Sequence, residues 1–84
     1  MEISNTPLEV YLGKVIREGR KERKITQVAL AKSCRTTQSM ISMTETGRRG
    51  GYLNLSLLQR IAGALDIRPG ELIRRAEKLQ GEEA

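Results

Sequence analysis

The stretch TQVALAKS-CRT-TQSMISMTETG, Thr26 to Gly47, carries two helix starts and one helix stop. Thr26 and Thr37 are both suited to the N-cap, where a hydroxyl accepts a backbone N–H of the first turn that has no partner within the helix. Gly47 can supply the left-handed residue on which helices commonly end. The spacing predicts a short helix from Gln27 to Ser33, a tight Cys34-Arg35-Thr36 link, and a second helix from Gln38 to about Glu45. Position 29 is Ala, so the first of them lacks a capping box.

Upstream, Leu8, Leu12, Val15, Ile16 and Gly19 recur at helical spacing, which predicts an amphipathic helix from about Pro7 to Arg23. Downstream, Gly47-Arg48-Arg49-Gly50-Gly51 is too rich in glycine and charge to hold a helix. Tyr52-Leu53-Asn54-Leu55 is expected to be an extended lead-in. Leu58, Ile61, Ala62 and Leu65 then mark a fourth helix, closed by a left-handed Asp66. Pro69 opens a fifth, striped by Leu72, Ile73, Ala76 and Leu79. The pattern is all-α: one domain over residues 1–84, with a flexible tail at 1–6 and a frayed acidic end at 80–84.

Composition narrows the chemistry. The chain has 84 residues, no His, no Phe, no Trp, 1 Cys and 2 Tyr. A chain of this length holds one small, aliphatic core, which buries roughly 60–65% of its unfolded surface and is marginally stable alone. One thiol without a histidine closes neither a disulfide nor a zinc site, so no metal or cofactor is expected. The commonest general base is missing and no phosphate-binding glycine loop precedes a helix, so an enzyme has no supporting feature. Cys34 is expected to be a buried hydrophobe. The net charge of +5 suits a polyanionic partner as well as it suits a solvated mixed surface. No apolar run reaches ~18 residues, and residues 1–6 lack a basic leader, which points to a cytoplasmic protein at the nucleoid.

Two short helices around a tight link have the spacing of a helix-turn-helix unit, whose second helix can enter a DNA major groove. On the second helix Ile41 and Thr44 fall inward, while Gln38, Ser39, Ser42 and Met43 fall outward. Amides and hydroxyls in place of Lys and Glu are what base edges pair with. A polar surface helix of an ordinary bundle has the same pattern and stays open at this level. Lys14, Arg17, Lys21 and Lys24 form a solvated basic face of the first helix, with phosphate contact as the alternative.

An ordered set of residues then resembles the Cro and phage-repressor (XRE-like) helix-turn-helix family across Leu12 to Ile73. The set is Leu12-Gly13-Lys14-Val15-Ile16-Arg17-Glu18 with Arg20, Thr26-Gln27, Leu30-Ala31, Thr36-Thr37-Gln38-Ser39, Ile41-Ser42, Glu45 with Gly47, and Leu58, Ile61-Ala62 and Ala64-Leu65. The resemblance implies a compact five-helix fold and a sequence-specific regulator that binds double-stranded DNA as a homodimer on a partly palindromic operator. It implies base reading by Gln38, Ser39, Ser42 and Met43. It implies backbone contacts from Gln27, Thr37, Arg48 and Arg49, and a structural ion pair between Arg20 and Glu45. A phage repressor, a restriction-modification controller and an antitoxin all fit. The rival of another class is a protein-interaction module that keeps the fold.

Three residues depart from the family pattern. Gly19 stands where a large aliphatic is usual, Arg35 stands at the turn glycine and so requires positive φ, and Thr44 replaces an inward aliphatic. The connection from Glu45 to Ile61 is also about two residues longer than usual. Together they predict a softer core. Leu53, Leu55, Leu57 and Ile67 exceed what one small core needs and are expected at the dimer interface.

Overall fold

A computed structural model describes residues 6–47 and 53–83. Five helices follow in order: α1 Leu8–Glu22, α2 Gln27–Ser33, α3 Gln38–Thr46, α4 Leu55–Leu65 and α5 Pro69–Glu82. The all-α expectation holds. α1 packs along α5 on one side and α3 on the other, and α2 bridges α3 and α4.

The helix starts follow from side-chain chemistry. Thr26 Oγ1 accepts from Ala29 N at 3.0 Å and Thr37 Oγ1 from Met40 N at 3.1 Å. Each such cap is worth about 1 kcal/mol. The stops are left-handed residues: Gly47 at φ 66° and Asp66 at φ 54°. Arg35 takes φ 55°, as its place in the turn requires, and Lys24 takes φ 56° after α1. The link is held by Arg60 of α4, whose Nη1 donates to the Cys34 carbonyl at 2.8 Å.

The core is aliphatic around one ring. Ile16, Leu30, Ile41, Ile61, Leu65 and Leu72 are fully buried with Tyr11 and Cys34. Burial raises the Cys34 thiol pKa above its ordinary value, against the opposing charge of Arg60, so the thiol is a packing group. Thr44 is buried, but its hydroxyl donates to the Met40 carbonyl at 2.8 Å. No buried side-chain polar atom lacks a partner among the described residues.

Several expectations are corrected here. Leu55 is helical, because Asn54 Oδ1 accepts from Leu57 N at 2.8 Å and starts α4 one turn before its apolar stripe. Residues 80–82, expected to be frayed, are the last turn of α5, which continues through Glu82, and Gln80 Nε2 donates to the Thr6 carbonyl at 3.1 Å. Of the four apolar residues considered spare, Leu57 is in the core, and Leu53 and Ile67 pack against it. Only Leu55 is strongly exposed, at 68%. Among the described residues no helix is long and apolar enough to cross a membrane.

Gly19 is less of a defect than its sequence position implies. A Cβ built there would meet Leu65 Cδ1 at 3.4 Å and Ile67 Cδ1 at 3.6 Å, which is ordinary contact. The space a larger residue would fill is already occupied by those two side chains. Gly19→Ala therefore gains the helix-propensity difference of about 0.5–1 kcal/mol without a steric cost. Urea denaturation followed by helical circular dichroism should show the midpoint rise with an unchanged slope.

Candidate nucleic-acid interface

The mounting of α3 comes first, because a reading helix is only as accurate as its support. Gly13 lies against the last turn of α3, so closely that a Cβ would stand 2.4 Å from the Thr44 carbonyl oxygen and 2.7 Å from that of Glu45. Gly47 meets α1 in the same way, a Cβ there falling 2.6 Å from Val10 Cα. Two glycines thus let α1 and the exit of α3 touch backbone to backbone.

Beside this contact the expected ion pair forms. Arg20 Nε donates to Glu45 Oε2 at 2.7 Å and Arg20 Nη2 to Glu45 Oε1 at 3.1 Å, the parallel fork of a bidentate pair. The two side chains are 11% and 2% exposed. Arg20 Nη1 also donates to the Ile25 carbonyl at 2.9 Å, tying the α1–α2 turn to the same point. The hydrogen bond to Glu45 holds the Arg20 pKa above its ordinary value, with the carboxylate charge acting in the same direction and burial against both.

The pair does not end at Glu45. Gln27 Nε2 donates to Glu45 Oε1 at 3.0 Å, and Gln38 Nε2 points to Gln27 Oε1 at 3.5 Å, the outer limit of a hydrogen bond. A polar chain therefore runs from buried Arg20 to exposed Gln38. Gln27, expected only as a backbone contact, is also the link between the ion pair and the first turn of α3.

Of the residues expected to face bases, Gln38 and Ser39 are exposed, and Ser42 and Met43 are half-buried. Gln38 and Ser42 lie four apart and form one stripe, which lines a recess together with Gln27. Ser39 and Met43 form the next stripe, outside that recess. Thr37 is exposed at the start of the helix with its hydroxyl engaged as the cap. Arg48 and Arg49 lie outside the described residues. The reasoning from sequence missed the recess itself, about 550 Å³ between α1, α2 and α3, which also takes in Arg17, Thr26 and Val28. Only packing α1 across the unit brings Arg17 there, and no local pattern signals that.

A helix-turn-helix unit with a buried ion pair at its back and an amide- and hydroxyl-bearing helix at its front defines a class of DNA-binding protein. The helix-turn-helix family profile matches residues 16–72. The chain belongs to this family, the Cro/C1-type (XRE-like) helix-turn-helix transcriptional regulators. Among solved structures it resembles the restriction-modification controller protein C.AhdI from Aeromonas hydrophila, with 33% identity and TM-score 0.69, covering 75% of this chain and 92% of that one. It shares its fold with the clp gene regulator ClgR from Corynebacterium glutamicum, with 23% identity and TM-score 0.86, covering 93% and 81%. It also matches part of the hydroxypropylphosphonic acid epoxidase of S. wedmorenis, with 30% identity and TM-score 0.67, covering 76% of this chain but 33% of that one. No curated protein sequence matches at a significant level.

Proposed function

We propose that the protein is a homodimeric, sequence-specific transcription factor that occupies promoters by reading a partly palindromic operator with the first turn of α3. One observation carries this reading. Gln38 and Ser39, uncharged and exposed, stand at the free end of a helix whose other end is fixed by the buried Arg20–Glu45 pair. Gln can pair bidentately with adenine, and Ser can serve either kind of base. Ser42 and Met43 extend the reading surface. Thr37 and Gln27 hold backbone, as do Arg48 and Arg49, the next residues but one after α3 in the chain. The protein works in the cytoplasm, at the nucleoid, and needs no cofactor.

The homodimer supplies the second half-site that so small an interface needs for useful affinity. Leu55 is its strongest candidate contact, at the start of α4 next to half-buried Leu53; half-buried Ile67 lies beyond the other end of that helix. Leu57 contributes only by shaping the surface from beneath.

The test is selection of duplexes from a random pool, followed by titration at several salt concentrations. A dimer should select an inverted repeat and give a log K against log salt slope on the order of −4 to −8. A flat salt response, or equal affinity for every duplex, contradicts the reading. A similar fold also makes up part of an epoxidase chain, so it is not confined to regulators; the second reading is a protein-interaction module or antitoxin in which the fold mainly holds a protein partner. In that case captured partners survive nuclease treatment.

A further inference from the structure

The recess beside Gln38 has an electrostatic asymmetry that the reading surface alone does not explain. Three charged side chains line it: Arg17, Arg20 and Glu45. Arg20 and Glu45 neutralise each other. Arg17 is left as the net charge, for among the described residues no acidic side chain pairs with it. Its neighbour Glu18 lines the groove against α5 instead.

The hydrogen-bonding capacity is equally one-sided. Thr26 uses its hydroxyl oxygen as the α2 cap acceptor, so its O–H proton remains to be donated. Ser42 adds a second hydroxyl. A net positive recess with a guanidinium and free hydroxyl donors suits a group that only accepts, and arginine's fork matches two phosphate oxygens.

Building on the proposed function, we infer that this recess is a phosphate site in which Arg17 clamps a DNA backbone phosphodiester from α1. The occupant is backbone and not free phosphate, because the recess shares Gln38 and Ser42 with the stripe that enters the groove. A strand flanking that groove passes over its mouth. The reading head and the clamp then come from different helices, and Arg17 fixes how deeply α3 is inserted.

The experiment compares the parent, Arg17→Gln and Lys14→Gln on selected and scrambled duplexes over a range of salt. Lys14 is the charge control: it sits on the same helix but lies over the Tyr11 ring and pairs with Glu83, away from the recess. Arg17→Gln should weaken both duplexes by a similar factor, on the order of tenfold, and should flatten the slope by about 0.9 for each phosphate lost per protomer. Lys14→Gln should leave the slope unchanged. Arg17 is exposed, so Arg17→Gln should keep the parent's helical circular dichroism signal.

In a second arm, the Arg17 Nε–H resonance is followed during titration with duplex and with inorganic phosphate at constant ionic strength. A shift with duplex alone assigns the site to the backbone. Equal slopes for the two variants, or saturation by inorganic phosphate without any effect of Arg17→Gln on DNA, overturns the inference. If the parent binds no duplex at all, the proposed function falls and this site falls with it. A parent that binds with its slope untouched by Arg17→Gln removes only the clamp.

Discussion

Glu45→Ala should lower the stability of the domain by about 3–5 kcal/mol, enough to leave much of the chain unfolded at room temperature. The removed carboxylate is almost wholly buried and accepts from Arg20 twice and from Gln27 once. Its loss strands a guanidinium that still cannot reach water freely, and an uncompensated buried charge costs more than the intact pair contributes. Three elements meet at this carboxylate, since Arg20 also holds the Ile25 carbonyl and Gln27 begins α2. The substitution therefore loosens α1, the following turn and α3 together. Glu45→Gln, which keeps the shape and an acceptor but loses the charge, should fall between parent and Ala. Thermal and urea unfolding followed at helical wavelengths decide it. A melting temperature within a degree or two of the parent would show that the pair is not what holds α3.

The second large effect is Gly13→Ala, a single methyl group on the same helix as Gly19. Ala gains about 1 kcal/mol in helix propensity at either position. At Gly19 the methyl meets the tips of two flexible side chains at ordinary distance. At Gly13 it would stand 2.4 Å from a backbone carbonyl oxygen of α3. Backbone cannot rotate away as a side chain can, so α1 has to move off the exit of α3, with the Arg20–Glu45 fork stretched in consequence. Overpacking of this kind costs about 1–3 kcal/mol, more where backbone is the obstacle, and so exceeds the propensity gain. The two Gly→Ala variants should shift the urea midpoint in opposite directions, Gly19→Ala up and Gly13→Ala down. A rise in both would mean that α1 and α3 do not touch as described.

These two glycines also mark how far the sequence can be read. Two helix starts, Thr26 and Thr37, and two stops, Gly47 and Asp66, were legible because each acts within a few residues of itself, and all behave as their chemistry requires. The positive φ of Arg35 was legible through the family resemblance, which places a glycine at that position. Asn54 carries the same kind of signal as Thr26 and Thr37, but the alternation of Tyr52 to Leu55 masks it with the pattern of an extended segment. The Arg20–Glu45 pair was legible through the family resemblance, because nothing local relates residues 25 apart in the chain. What stayed hidden depends on how helices cross. The need for Gly13 rather than any small residue, the closure of the Gly19 gap by Leu65 and Ile67, and the approach of Arg17 to the recess all arise from the α1 crossing. Leu57 lies in the core for a related reason. Core capacity cannot be counted without knowing that Leu57 points inward from the first turn of α4.

At the interface itself, residue types on the outward face of α3 were readable, but their connection was not. Gln27 and Gln38 belong to different helices, and their contact joins the turn proposed to read bases to the Glu45 network. A variant that disturbs the ion pair should therefore also disturb discrimination between duplexes, beyond what its loss of folded protein explains.

The central claim is that the first turn of α3 reads bases, and titration of Gln38→Ala against selected and scrambled duplexes tests it most directly. Gln38 is exposed, and its one side-chain hydrogen bond among the described residues is at the limit of such bonds, so its loss should leave the fold intact. The variant should lose about 1–3 kcal/mol on the selected site and little on scrambled DNA, so that the ratio of the two collapses while the salt slope stays near that of the parent. If Gln38→Ala keeps the parent's ratio, α3 is not the reading head and the account of this surface is wrong.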